Sequence, residues 1–275
     1  MRRTLLIATA EIREGMRNRW ILGATSVLTL FAMSLAVLGT APIGEIKAGA
    51  PAVITVSLAS LSVYVVPLLA LMLSFDAIGA EAERGTLLLL LTYPLTRRQV
   101  LLGKFLGHFV ILAQAVLTGF GAAALYIVFS TETVIGDWTV YGAMLGSTLL
   151  LGAVFLSLGY LLSVIVRSPA TALNAALGLW LALAVFYDFL ILGLILAEDG
   201  DLIGGKLIGA LLHANPVDVY RIFNLGGSGA AAFVSGMAGV SGFDATSPAL
   251  LLGIMAAWVA VPLWAAIVLF ERREV

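Results

Sequence analysis

The chain has 275 residues, of which 11% are charged and 61% hydrophobic, with a formal net charge of −1 and no cysteine. Soluble domains carry about 25% charged residues, so this composition excludes an ordinary water-soluble domain and points to an integral membrane protein. The missing cysteines exclude disulfides, thiolate metal sites and cysteine nucleophiles within the chain.

The N-terminal arm, residues 1–19, places Leu5, Ile12, Met16 and Trp20 at helical spacing, with Arg3, Arg13, Glu14, Arg17 and Asn18 elsewhere around the helix. That pattern predicts a helix lying at the membrane interface, its basic side toward anionic headgroups. Basic residues before an apolar run also open a signal peptide, but no small-residue cleavage site follows, so the first span is expected to be retained. Uncharged runs long enough to cross a bilayer, which takes roughly 20 residues, predict helical spans at about 20–40, 53–75, 105–129, 141–166, 171–197 and 248–270. They are continuously apolar, whereas strands of a membrane barrel alternate. The expected fold is therefore all-α, one membrane domain over 1–275 with six transmembrane helices. Pro67 and Pro262 can kink the second and sixth spans, and Gly103 with Gly107, and Gly142 with Gly146, form small-xxx-small pairs.

Residues 76–104 form a loop between the second and third spans that is too apolar for a solvated connector. A helix through Ala77, Ala80, Leu87, Leu88 and Leu91 would bury one side and leave Glu81, Glu83 and Arg84 available to water or a partner. Gly85 loosens that helix, Pro94 ends it, and Thr96 can cap a second helix through Arg97, Arg98 and Val100 into the third span. Residues 198–247 form the other large loop. An amphipathic helix is expected over Leu202–Leu212, then a second through Phe223, with Asn215 as N-cap, Pro216 in its first turn and Asp218 near its positive end. The glycine-rich stretch from Leu225 to Ser247 reads as a re-entrant or mobile loop.

Lys and Arg set the orientation. Arg2, Arg3, Arg13, Arg17, Arg19, Arg84, Arg97, Arg98, Lys104, Arg167, Arg272 and Arg273 fall on one side, against Lys47, Lys206 and Arg221 on the other. Both termini and the 76–104 loop of this multi-pass protein are therefore expected in the cytoplasm.

Reactive groups are sparse. His108 and His213 belong at opposite ends, so they share no site, and no HExxH, GxSxG or metal-spaced cluster occurs. The methionines are scattered and read as core filling. An enzyme, a resident metal and a nucleic-acid partner are not expected. Asp188 is an ionisable group inside a span, a functional-site hypothesis by default, and Asn174 and Tyr187 could join it in a pathway or gate. The alternative is a structural hydrogen bond. No GxxxxGK[ST] loop occurs, since Gly103-Lys104 is followed by Phe105 and Gly205-Lys206 by Leu207. ATP, if used, binds another chain.

Glu81-x-Glu83-x-Gly85-Thr86, Pro94-Leu95-Thr96-Arg97-Arg98 and Gly103-Lys104 resemble the cytoplasmic coupling loop of type-2 ABC transporter permeases. The interfacial helix, six spans and Asn215-Pro216-Val217-Asp218 segment are also similar. More narrowly, the chain resembles the permeases of transporters that mature nitrous oxide reductase in denitrifying bacteria. The resemblance implies a homodimer, a cytoplasmic ATPase dimer binding ATP and Mg, and a periplasmic accessory protein, with a copper chaperone or the reductase itself as further partners. It implies that Glu81, Glu83, Arg84, Gly85, Thr86, Pro94, Arg97 and Arg98 couple to the ATPase, and that Asn215, Pro216 and Asp218 face periplasmic partners. The implied work is export of a sulfur species, or transmission of force, for assembly of a copper-sulfide site. Without cysteine and with two histidines the chain is a poor copper relay. Export of another small or amphipathic solute, or a proton-coupled carrier using Asp188, are the competing expectations.

Overall fold

In the computed structural model, residues 2–39, 50–86, 92, 93, 95–130, 135–197, 205–225 and 247–272 are described, and every regular element among them is helical. The helices are α1 (Arg2–Gly15), α2 (Arg19–Gly39), α3 (Ala50–Ser74), α4 (Gly79–Glu83), α5 (Arg97–Ser130) and α6 (Ile135–Ile165). After these come α7 (Pro169–Leu181), a π-helical segment (Ala182–Phe186), α8 (Tyr187–Ala197), α9 (Gly205–Ala214), α10 (Pro216–Leu225) and α11 (Pro248–Arg272). Six stretches are long and apolar enough to cross a membrane, one each at the six expected spans.

The innermost of them is α6. Its most apolar window is 72% buried, against 17% for the span built from α7, the π segment and α8. Phe155, Tyr160, Leu151 and Val154 of α6 are fully enclosed. Around α6 pack α3, α5, α11, α10 and α7, while α1 and α2 lie along α5. Lipid offers apolar side chains as good a solvent as the core does, so close backbone approach decides the packing. A Cβ on Gly159 of α6 would lie 2.0 Å from Ser74 Oγ of α3, and one on Gly152 2.5 Å from Leu112 of α5.

The same device seats α1, expected only as an interfacial helix, directly on α5. Ala8 and Gly15 are buried, while Leu5, Met16 and Trp20 are exposed. Gly107 admits Glu11 and Ala8, Gly103 admits Ile7 and Thr4, and Gly15 receives Ile111. Small residues win the contact with α5, and the large apolar ones turn to lipid or solvent. The Gly103 and Gly107 pair is thus occupied within the chain, whereas Gly142 and Gly146 open outward with nothing near a Cβ.

Two further expectations change. The fifth span is interrupted by the π-helical segment, and α10 is no surface helix. Its Val217, Val219 and Tyr220 are fully buried against α3, α6 and α11. Pro67 and Pro262 lie within helices that continue through them. The glycine-rich 226–246 stretch lies outside the described residues.

Candidate functional site

At one end, α4 is a short helix held by its neighbours. Its backbone donors Ile78 N and Gly79 N bond to Ser163 Oγ of α6 at 2.8 and 3.1 Å. A side chain 84 and 85 residues away therefore satisfies donors that a helix start leaves open. α4 stops early because Gly85 takes a left-handed backbone, φ +72, which glycine adopts without a Cβ clash. Arg84 N bonds Ala80 O, Gly85 N bonds Ala82 O, and the Thr86 hydroxyl donates to Glu81 O at 3.2 Å. The Glu-x-Glu-x-Gly-Thr pattern is thus a helix stop as well as a charged patch. The expected continuation through leucines 87–91, and Pro94, lie outside the described residues.

The two glutamates of that pattern separate. Glu83, Arg84 and Thr86 are exposed. Glu81, expected to face water or a partner, turns inward, and its Oε1 lies 2.7 Å from Lys104 Nζ of α5. Lys104 also bonds Glu11 Oε1 of α1 at 2.5 Å, and its side chain is only 5% exposed. Glu11 Oε2 is 3.4 Å from His108 Nε2, and His108 Nδ1 shares a 2.8 Å hydrogen bond with the Tyr160 hydroxyl of α6. Burial pushes Glu11 up, but the His108 hydrogen bond and the Lys104 charge outweigh it and hold the carboxyl at about 2. One cluster therefore ties α1, α4, α5 and α6.

Beside it, Thr96 and Gln99 form a reciprocal cap, with Gln99 N donating to Thr96 Oγ1 and Thr96 N to Gln99 Oε1, both at 3.2 Å. Arg97 donates to the Phe270 carbonyl of α11 at 2.9 Å and lies over its ring. Arg98 is exposed.

A second cluster surrounds Arg221 of α10. One nitrogen, Nη1, bonds both carboxylate oxygens of Asp188 at 2.6 Å and Asp218 Oδ1 at 3.1 Å. Tyr64 of α3 contributes its hydroxyl at 3.4 Å and its ring face. Asn215 caps α10 by accepting from Val217 N at 3.1 Å, while its amide donates to Asp218 Oδ2 and to the Leu183 carbonyl in the π segment, both at 2.9 Å. Burial, with the Asp188 carboxylate nearby, raises Asp218 to about 7 against the pull of Arg221.

This overturns the expected exposure of three residues. Asn215, Pro216 and Asp218 are buried, because they join α10 to the fifth span. Tyr187 bonds the Leu211 carbonyl of α9 at 2.7 Å. Asn174 is exposed on α7 and sits 14 residues from Asp188, about 21 Å along a helix. The grouping of Asn174 with Asp188 does not form. His213 bonds its own helix through Gly209 O. No group of His, Asp and Glu among the described residues is arranged to hold a metal ion.

Sequence reasoning gave Lys104 no ion-pair partner and His108 no site, and it missed Glu11, Ser163 and Arg221. Glu11 had a signal: it shares a helix face with Ala8 and Gly15, the small residues that mark the close contact.

The family model described as ABC-2 family transporter protein matches residues 5–275. The chain is 42% identical to a protein of Stutzerimonas stutzeri over 97% of both chains, and 41% identical to one of Pseudomonas aeruginosa PAO1 over 98% of both. Each of these relatives is named a probable ABC transporter permease protein NosY. The chain therefore belongs to the ABC-2 family of transporter proteins, as a multi-pass permease subunit whose ATP hydrolysis resides on a separate chain.

Proposed function

We propose that α4 is the element through which a cytoplasmic ATPase dimer drives two copies of this permease, with both termini on the same cytoplasmic side. The observation that carries this reading is the double attachment of α4, through Glu81 to Lys104 and through its first amides to Ser163. A push on the exposed Glu83, Arg84 and Thr86 passes directly into α5 and α6. Glu81 Oε2 is buried with no hydrogen-bond partner among the described residues, so Glu81 serves the internal attachment and the contact with the ATPase falls to its exposed neighbours. Arg97 and Arg98 extend the contact, and the excess of Lys and Arg at this end supports a cytoplasmic location in the bacterial inner membrane.

The work coupled to ATP is export of a sulfur species, or transmission of force to a periplasmic accessory protein, in maturation of the copper-sulfide site of nitrous oxide reductase. The name shared by the two relatives supports this finer reading. A copper chaperone and the reductase would be met on the periplasmic side, at surfaces other than the buried Asn215, Pro216 and Asp218.

The test is reconstitution of the permease with its ATPase in inside-out vesicles, following ATP-dependent uptake of labelled sulfur species. Uptake supports export, while intact turnover without uptake favours force transmission. Charge reversal at Glu83 and Arg84 should lower ATPase co-purification or stimulated turnover while the permease stays folded; unchanged assembly and turnover would sink the coupling role.

A further inference from the structure

Beyond coupling and cargo, the outward face of α1 has a job of its own. α1 ends beside Ile111, past Lys104 and His108 of α5, and after residues 16–18 α2 begins at Arg19. Trp20, in the first turn of α2, is 48% exposed. An exposed tryptophan at the start of an apolar span marks headgroup level. At that level a groove of about 520 Å³ is lined by Ala10, Arg13, Glu14, Arg17 and Asn18.

Arg13 in the last turn of α1 and Arg17 in the turn that follows it both line this groove, both are exposed, and neither has an ion-pair partner among the described residues. Glu14 leaves the groove one positive charge in excess. The contrast with the other face is sharp: Glu11 is committed to Lys104 and His108, so the inner side of α1 is electrostatically satisfied while the outer side is open. The apolar neighbours Met16 and Trp20, 55% and 48% exposed, would lie against acyl chains. Paired guanidiniums beside apolar side chains at the mouth of a span suit one class of partner, the headgroup of an anionic membrane phospholipid.

We infer that the Arg13–Arg17 groove binds the headgroup of an anionic phospholipid and so sets the seating of α1 on α5. Because Lys104 joins Glu11 of α1 to Glu81 of α4, lipid occupancy adjusts the position of the coupling element. This second step rests on the coupling role of α4 proposed above; lipid binding does not.

Full-length permease, purified with its ATPase, is reconstituted in phosphatidylethanolamine bilayers with and without phosphatidylglycerol. Lipids retained after extraction are counted by native mass spectrometry. The wild-type complex should retain phosphatidylglycerol with roughly tenfold preference, the scale expected of two arginines at an anionic surface. The R13Q/R17Q double variant should lose that preference with its melting temperature and ATPase assembly unchanged, and R13K/R17K should keep much of it. Equal retention by wild type and R13Q/R17Q would overturn the site, and displacement of the lipid by excess inorganic phosphate would overturn its assignment to a membrane lipid. Stimulated ATP turnover should rise with phosphatidylglycerol in wild type and not in R13Q/R17Q. Turnover stimulated by the permease but indifferent to phosphatidylglycerol would overturn the link to α4. Absence of any permease-stimulated turnover would count against the coupling role while leaving the lipid site to the retention measurement.

Discussion

Two carboxylates share one cation in each half of the bundle, yet the two clusters settle their surplus negative charge in opposite ways. Around Lys104, Glu11 gains a second polar partner in His108, and its carboxyl is held at about 2. Around Arg221, one guanidinium nitrogen serves both oxygens of Asp188 as well as Asp218, and the more buried Asp218 is raised to about 7. Glu11 and Lys104 are both held in their charged forms, and their cluster joins four helices. The Arg221 cluster can discharge itself by taking up a proton on Asp218. Neither a cation count nor a donor count alone describes a buried ion cluster: Glu11 and Asp218 each have two donors, and it is burial with the Asp188 charge beside it that raises Asp218.

The strongest way to break this contrast is to remove each cation. Lys104→Met removes the one cation shared by two largely buried carboxylates and leaves Glu81 without its partner, a loss expected to cost about 3–5 kcal/mol, read as a collapse in folded yield and melting temperature in detergent. Arg221→Met is expected to cost less, about 1–2 kcal/mol, because Asp218 takes a proton. Equal losses in the two variants would remove the distinction. Ser163→Ala isolates the neutral part of the Lys104 end. It leaves the Ile78 and Gly79 amides without that acceptor, at about 1–2 kcal/mol, and should loosen α4 in hydrogen exchange more than it lowers the global melting temperature.

The pH dependence sharpens the same contrast, and its sign follows from the two shifts. A raised carboxyl stabilises the folded state at low pH and loses that contribution as pH rises through its folded value. The Asp218 contribution is therefore fully present below about 4 and gone above about 7. A lowered carboxyl does the reverse, so the Glu11 contribution holds above 4.5 and disappears as pH falls toward 2. The melting temperature should climb between pH 7 and 4 and drop below that. Asp218→Asn should flatten the first limb and Glu11→Gln the second; unchanged limbs would contradict the assignments. The smallest expected effect is at Glu83, exposed beside the inward-turned Glu81. Glu83→Lys should change stability by no more than about 0.5 kcal/mol, although it should reduce ATPase stimulation if α4 couples the two chains.

Much of this architecture was legible in residue order. Continuous apolar runs located six spans, and the Asn215-Pro216 and Thr96 signals located helix starts that the side-chain hydrogen bonds bear out. These are local properties, set by transfer of apolar surface and by backbone donors within one turn. Which face of α1 meets α5 was not legible, because amphipathicity separates apolar from polar and does not separate lipid-facing from protein-facing. Where lipid is the surroundings, Leu5 and Met16 have no reason to turn in, and Ala8 and Gly15 do. Asn215 and Asp218 were misread for a related reason, since a polar cap looks like surface until a partner such as Arg221 is brought to it.

By itself, the sequence determined that the chain is a helical membrane protein with six spans, no nucleotide loop and a charged 76–104 segment, because each depends on composition or on neighbours within a few residues. Only the tertiary structure decided that Glu81 faces inward while Glu83 faces out, and that Lys104 joins Glu11 to it across 93 residues of chain. Charge pairing in a low-dielectric bundle depends on which helices approach closely, and that is settled by the small residues at their crossings, far from the charges in sequence.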